Sequence, residues 1–174
     1  SRRTFVIQIY LNDDFDGGHT LFEQYDINID RPKPLVPRYL RWGIRERMNV
    51  NGEVLIQLED KSIEQLLPMI DKNKIEAIAI GLIHSYANSM HEEKIAEHLS
   101  AARPDLSITL SSQVCPEIRE YERQSTACAN AYVQPLMSRY LTKLDEALQS
   151  MGFMCPFLLM TSGGGSVSYT HLTL

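Results

Sequence analysis

Apolar and polar positions follow two different periods along this chain. Residues 4–11 (TFVIQIYL) are dense in β-branched and aromatic side chains and predict a strand. Residues 12–19 (NDDFDGGH) read as a polar, glycine-containing loop, and 25–29 as a short strand that Pro32 and Pro34 end. Residues 38–48 (RYLRWGIRERM) suit either helix or strand. The strand is favoured because Asn51-Gly52 follows and 53–58 (EVLIQL) then alternates. Strand, Asn-Gly, strand is a hairpin pattern, since both turn residues tolerate positive φ.

From residue 61 the period lengthens. Ile63, Leu66, Leu67 and Ile70 recur at helical spacing over 61–71. Residues 77–83 (AIAIGLI) form a continuous apolar run, as expected of a strand buried on both faces. An amphipathic helix is predicted over 91–102, with Ile95 and Leu99 inward and Pro104 as its stop, and another strand over 106–110. A long helix is predicted over 125–149, open to interruption at Pro135 and capped by Ser125-Thr126. Leu136, Tyr140, Leu141, Leu144 and Leu148 supply its apolar stripe. Gly152 ends it, and 156–160 (PFLLM) predicts a third buried strand. Helices alternating with strands in this way predict an α/β layer with a mostly parallel sheet.

At 174 residues the chain is long enough for one domain or part of a larger one. It is 44% hydrophobic and 22% charged, a balance that supports a buried core. A net charge of −5 argues against a nucleic-acid groove, which needs a basic stripe. No apolar run approaches the roughly 20 residues of a membrane helix. Cys115, Cys128 and Cys155 are odd in number and contain no CxxC pair, which argues against a disulfide framework and for a reducing cytoplasm. The chain opens on Ser1 and ends soon after a glycine loop, so an internal fragment of a longer protein is expected.

Ser162, Gly163, Gly164 and Gly165, after a predicted strand, suit either a phosphate cradle built from backbone N–H groups or a flexible turn. Asp16-Gly17-Gly18-His19-Thr20 looks similar but lacks a strong strand before it, and a surface turn is the simpler account. His84-Ser85-Tyr86 follows the apolar strand at the position where α/β proteins carry functional groups; a satisfied histidine beside a capping serine is the alternative. His91 and His98 lie a heptad apart on a mostly solvated helix and, with His84, make no metal motif. In Cys115 to Arg123, the residues Glu117, Arg119, Glu120, Glu122 and Arg123 suit a solvated face with local ion pairs. Alternatively, Arg119 or Arg123 clamps a carboxylate or phosphate through its guanidinium fork. Cys128 sits among Ala127, Ala129 and Ala131 and suits close helix packing rather than nucleophilic chemistry.

Four stretches carry a resemblance to a known family. They are Arg31-Pro32-Lys33-Pro34-Leu35-Val36-Pro37-Arg38 with Ile44-Arg45-Glu46-Arg47; Gly81-Leu82-Ile83-His84-Ser85-Tyr86-Ala87-Asn88 with His91-Glu92; Leu110-Ser111-Ser112 with Pro116-Glu117-Ile118-Arg119-Glu120-Tyr121-Glu122-Arg123, Ser125-Thr126, Asn130-Ala131-Tyr132-Val133 and Pro135; and the stretch from Leu158 to Gly165. From about residue 21 to 165 the chain resembles the hydantoinase A / 5-oxoprolinase family. The resemblance implies a fold of the actin and sugar-kinase (ribonuclease H-like) type, and ATP-dependent opening of cyclic amides such as hydantoin, N-methylhydantoin or 5-oxoproline. In the implied mechanism ATP phosphorylates the ring amide oxygen and water attacks the activated carbon. ATP and Mg²⁺ are the implied cofactors, and a hydantoinase B-type subunit or fused equivalent the implied partner.

On the same resemblance, residues 1–58 and 59–112 belong to the family's N-terminal region and 113–165 open its core domain. Ser162, Gly163, Gly164 and Gly165 are then expected to contact phosphate. His84, Arg119, Glu120, Glu122, Arg123 and Asn130 are expected to shape the cleft or a subunit interface, with structural ion pairing as the alternative. No catalytic residue is assigned. The family's Asp-x-Gly-Gly-Thr phosphate motif is missing, Gly163 stands where many members have Asn, and residues 166–174 read as a non-native tail. The isolated piece is therefore expected to be inactive. The block around Arg119 to Thr126 leans to hydantoinase over 5-oxoprolinase. A ketone carboxylase of the same family and a non-catalytic binding or scaffold module are the alternatives.

Overall fold

The structure, a computed structural model, describes residues 6–9, 35–160 and 166–168. The expected loop at 12–19, strand at 25–29, proline segment at 31–34 and glycine loop at 162–165 lie outside the described residues. The chain is α/β with short sheets. β1 (Val6–Ile9), β4 (Ala77–Ile80) and β5 (Ser107–Leu110) form a parallel sheet with β4 in the middle. Ile78 stands opposite Ile7 on one side and Ile108 on the other. All four β4 residues are buried, and since neighbouring side chains point to opposite faces, both faces are covered. That is why the run at 77–83 shows no alternation, although the strand itself stops at Ile80.

One helix, α5 (Glu120–Ser150), packs across all three strands. Ala127, Cys128 and Ala131 let it approach closely and share a core with Ile78, Ile80, Leu66, Ile70, Ile95 and Leu99. Leu66 and Ile70 come from α2 (Leu66–Asn73), Ile95 and Leu99 from α3 (Met90–Ala102). The helix expected over 61–71 is two: α1 (Asp60–Glu64) ends before Gln65, and α2 follows. Pro68 explains the break, because it has no N–H to give the Glu64 carbonyl.

The hairpin is present. β2 (Arg47–Met48) pairs antiparallel with β3 (Val54–Ile56), and Gly52 in the turn has φ +80°. The Asn49 side chain closes the turn, accepting from Asn51 N at 3.0 Å and Glu53 N at 2.9 Å. The longer strand expected over 38–48 is not there: after Pro37 the chain makes a 3-10 turn (Arg38–Leu40) and reaches strand geometry only at Arg47.

Three further expectations need correction. The long helix starts at Glu120, not Ser125, with Arg119 extended at its N-cap. Glu120 and Glu122 place negative charge at the positive end of the helix dipole, and the Thr126 hydroxyl bonds back to Glu122 O as a mid-helix residue rather than capping. Within its stripe Leu141 is buried, whereas Leu136 and Tyr140 are exposed. Finally, PFLLM is no buried member of the parallel sheet. β6 (Leu158–Met160) pairs antiparallel with β7 (Ser166–Ser168) in a sheet of its own, and Met160 is 83% exposed. A short apolar run specifies neither its partner nor its burial.

Candidate functional site

Open parallel sheets bind ligands at the carboxyl ends of their strands. Here β4 runs into residues 81–89 and β5 into the short helix α4 (Ser111–Val114), then 115–119 and α5. A buried polar network ties these loops together. Glu92, in the first turn of α3, is fully buried. Its Oε1 accepts from Leu82 N at 2.9 Å and Ser111 Oγ at 2.7 Å; its Oε2 accepts from Ser112 N at 3.0 Å and Ser112 Oγ at 2.7 Å. Arg123, equally buried in α5, donates to Leu82 O at 2.8 Å, to Ser111 Oγ at 3.3 Å and to Glu117 O. Leu82 is thus held through its N–H by the carboxylate and through its C=O by the guanidinium, and Ser111 bridges the same pair. Each buried charge is costly alone and is met by hydrogen bonds, Glu92 by four donors and Arg123 by three acceptors.

Gly81 belongs to the same clamp. A Cβ there would stand 2.6 Å from Gln124 Cγ, and Gln124 Nε2 donates to Gly81 O at 3.3 Å. α5 therefore crosses the strand end where only glycine fits.

Beyond this clamp the chain turns outward at His84, whose φ of +58° is left-handed, unusual for a residue with a side chain. His84 is 26% exposed. Its Nδ1 lies 3.4 Å from Tyr86 Oη and 3.8 Å from Glu120 Oε1. That Glu120 oxygen is 3.6 Å from Arg123 Nη2, and the Arg123 guanidinium sits 5.4 Å from the Tyr86 ring centroid. His84, Tyr86 and Glu120 therefore form a half-exposed rim on a buried ionic base. Ser85 faces inward, its Oγ 3.3 Å from Ser111 Oγ, and caps no helix.

The other expected residues scatter. Arg119 is 77% exposed and pairs with Glu122 at 3.4 Å, a solvated ion pair. Arg123 is no solvated clamp, since its donors are committed to the backbone and Ser111. Asn130 lies buried three turns along α5, donating to Thr109 Oγ1 at 3.3 Å beneath the sheet. Cys128 is packed as expected, and burial pushes its thiol up to about 12, so it stays protonated. His91, expected on a solvated face, is buried with Nδ1 2.6 Å from Glu46 Oε2. The sequence pattern assigns no role to Glu92, Ser111 or Gln124. A signal existed: Glu92 shares the i, i+3, i+7 face with Ile95 and Leu99, and Arg123 the i, i+4, i+8 face with Ala127 and Ala131. A charge on an apolar stripe marks a buried partner.

The rim does not fit a phosphate or Mg²⁺: Arg119 is paired with Glu122, Arg123 is committed to two backbone carbonyls and Ser111, and among the described residues no three His, Cys, Asp or Glu side chains converge as metal ligands. The described helices include none long and apolar enough to cross a membrane.

Residues 5–102 match the family model "Hydantoinase/oxoprolinase N-terminal region", and residues 123–173 match "Hydantoinase/oxoprolinase". The chain belongs to the hydantoinase/oxoprolinase family. An uncharacterised protein of Methanocaldococcus jannaschii is 34% identical over 86% of this chain and 22% of its own length. The caprolactamase subunit alpha of Pseudomonas jessenii is 32% identical over 86% of this chain and 21% of its own. An acetophenone carboxylase gamma subunit of Aromatoleum aromaticum is 29% identical over 86% and 21%. The crystal structure of the ATP-dependent caprolactamase from Pseudomonas jessenii superposes with a TM-score of 0.79 at 28% identity, covering 95% of this chain and 25% of that one. The chain spans about a fifth of the length of these curated relatives.

Proposed function

We propose that this chain is a segment of the alpha subunit of an ATP-dependent hydrolase of cyclic amides: hydantoins, 5-oxoproline or a lactam. The observation that carries the reading is the likeness to an ATP-dependent caprolactamase, in sequence over 86% of the chain and in fold over 95%. The rim of His84, Tyr86 and Glu120 at the carboxyl ends of parallel strands is the place offered to the ring. ATP and Mg²⁺ belong to the intact enzyme, with Ser162, Gly163, Gly164 and Gly165 as the phosphate contact and an actin-like second half completing the site. In this reading residues 1–112 form the N-terminal region, 113–165 open the core domain, and a B-type subunit or fused equivalent is the partner. An acetophenone carboxylase gamma subunit at 29% identity favours a second reading, ATP-dependent carboxylation of a ketone.

The test is phosphate release by the full-length parent with its partner subunit, titrated with hydantoin, N-methylhydantoin, 5-oxoproline and ε-caprolactam, then with acetophenone plus bicarbonate. Phosphate stoichiometric with one ring-opened product supports the amide reading and names the substrate. Stimulation only by ketone with bicarbonate replaces it with the second.

A further inference from the structure

We propose that the second half of α5, with β6 beyond it, is an interface covered by the stretch of a family-length chain that follows β7. The inference rests on this chain being a segment of a longer one, not on which ring is opened.

α5 changes character along its length. Arg123, Ala127 and Ala131 are buried against the sheet side, whereas from Tyr132 onward only Leu141 of this helix is buried. Tyr132, Leu136, Tyr140, Leu144 and Leu148 recur every four residues and so line one ridge, the form in which a helix seats in the groove of a neighbour. The first three are 62%, 62% and 58% exposed, and the last two are half-buried. From Tyr132 to Thr142 the one charged residue is Arg139. A ridge this poor in charge and rich in aromatic and aliphatic side chains has the composition of a permanent interface. The exposure continues along the chain past the helix, at Met151, Met154, Leu158 and Met160. Among the described residues β6 and β7 pair only with each other, and two strands alone are marginal in water.

Two observations select the occupant. This chain covers 25% of the caprolactamase chain it superposes on and about a fifth of its curated relatives, so a chain of their length has ample material to cover the ridge. The unfinished sheet follows the ridge in sequence, so the residues next along such a chain are the nearest source of further strands and of an apolar layer. A separately made subunit or a second copy would first have to stay soluble with the ridge exposed.

The test is maleimide labelling, read peptide by peptide in a mass spectrometer, of Leu136→Cys and of the native Cys155, which is exposed and needs no substitution. Each rate is taken relative to the same protein unfolded in urea, in this chain and in the full-length parent. In this chain both thiols are expected to react nearly as fast as when unfolded. In the parent without its partner subunit both are expected to be slowed at least about a hundredfold. Fast labelling of either thiol in the parent overturns the inference. So does protection that appears only when the partner subunit is added, which makes that subunit the occupant. Protection in this chain that grows with its concentration overturns it as well, since a second copy then covers the ridge. Phosphate release by the parent is read separately, so the ring chemistry can fail while the interface stands.

Discussion

Leu82 has no functional group of its own, yet two buried charges converge on its peptide. Replacing Glu92 by Gln takes the carboxylate from four buried donors and turns an amide N–H₂ toward some of them. Leaving buried donors unsatisfied costs about 1–3 kcal/mol, so E92Q is expected to lower the urea midpoint; an unchanged midpoint would show that water replaces the carboxylate. Gly81→Ala drives a methyl into Gln124 Cγ and is expected to cost about 1–3 kcal/mol. Because that cost is one contact, G81A with Gln124→Ala should lose less than the two single losses added; strict additivity would place the strain elsewhere. Glu46 is a third case. Burial pushes its carboxyl above the ordinary 4.5, while His91 and Arg47 pull it back. The folded carboxyl holds its proton to higher pH than the unfolded one, so its stabilising contribution is complete below 4.5 and disappears as pH rises through the native value. The melting temperature of the wild type relative to Glu46→Gln should therefore fall as pH is raised from about 4 to about 7, and a flat difference would refute the shift.

Among the elements, α5 carries the clearest local conflict. Pro135 sits inside a continuous helix of 31 residues, where it removes one hydrogen bond and crowds the preceding turn. Pro135→Ala is expected to raise stability by about 1–3 kcal/mol in thermal denaturation; an unchanged or lower melting temperature would mean that the half-buried ring packs too well to lose. The same helix shows how far the sequence could be read. β4, α3, β5 and the Asn-Gly hairpin were legible because burial on both faces, a 3.6-residue stripe and a positive-φ turn each leave a local pattern. The start of α5 was not, because Ser125-Thr126 resembles a cap while the acidic turn before it resembles a solvated loop. PFLLM misled for a different reason: which strand pairs with which is decided by tertiary contacts. In the rim, the place of His84 after β4 was legible, but the depth of Arg123 was not. A guanidinium goes inside only where acceptors wait, and the Leu82 carbonyl lies 41 residues away.

At the scale of the molecule, the clamp joins two stretches of the family. Leu82 and Glu92 fall in the region matched over 5–102, and Arg123 opens the region matched over 123–173. A piece ending at residue 112 lacks both the guanidinium and the helix across the sheet. It is expected to bind a hydrophobic dye and melt without cooperativity, and to recover on mixing with residues 113–174; a cooperative melt of the first piece alone would show that α5 is dispensable. The span of these contacts also sets an order in time. Arg123 reaches Leu82 across 41 positions and His91 reaches Glu46 across 45, so neither bond exists until distant parts of the chain have met. Until then Glu92 and Arg123 stay hydrated. Damage to the clamp is expected to appear as faster unfolding with refolding almost unchanged; slowed refolding would place these bonds in the transition state instead.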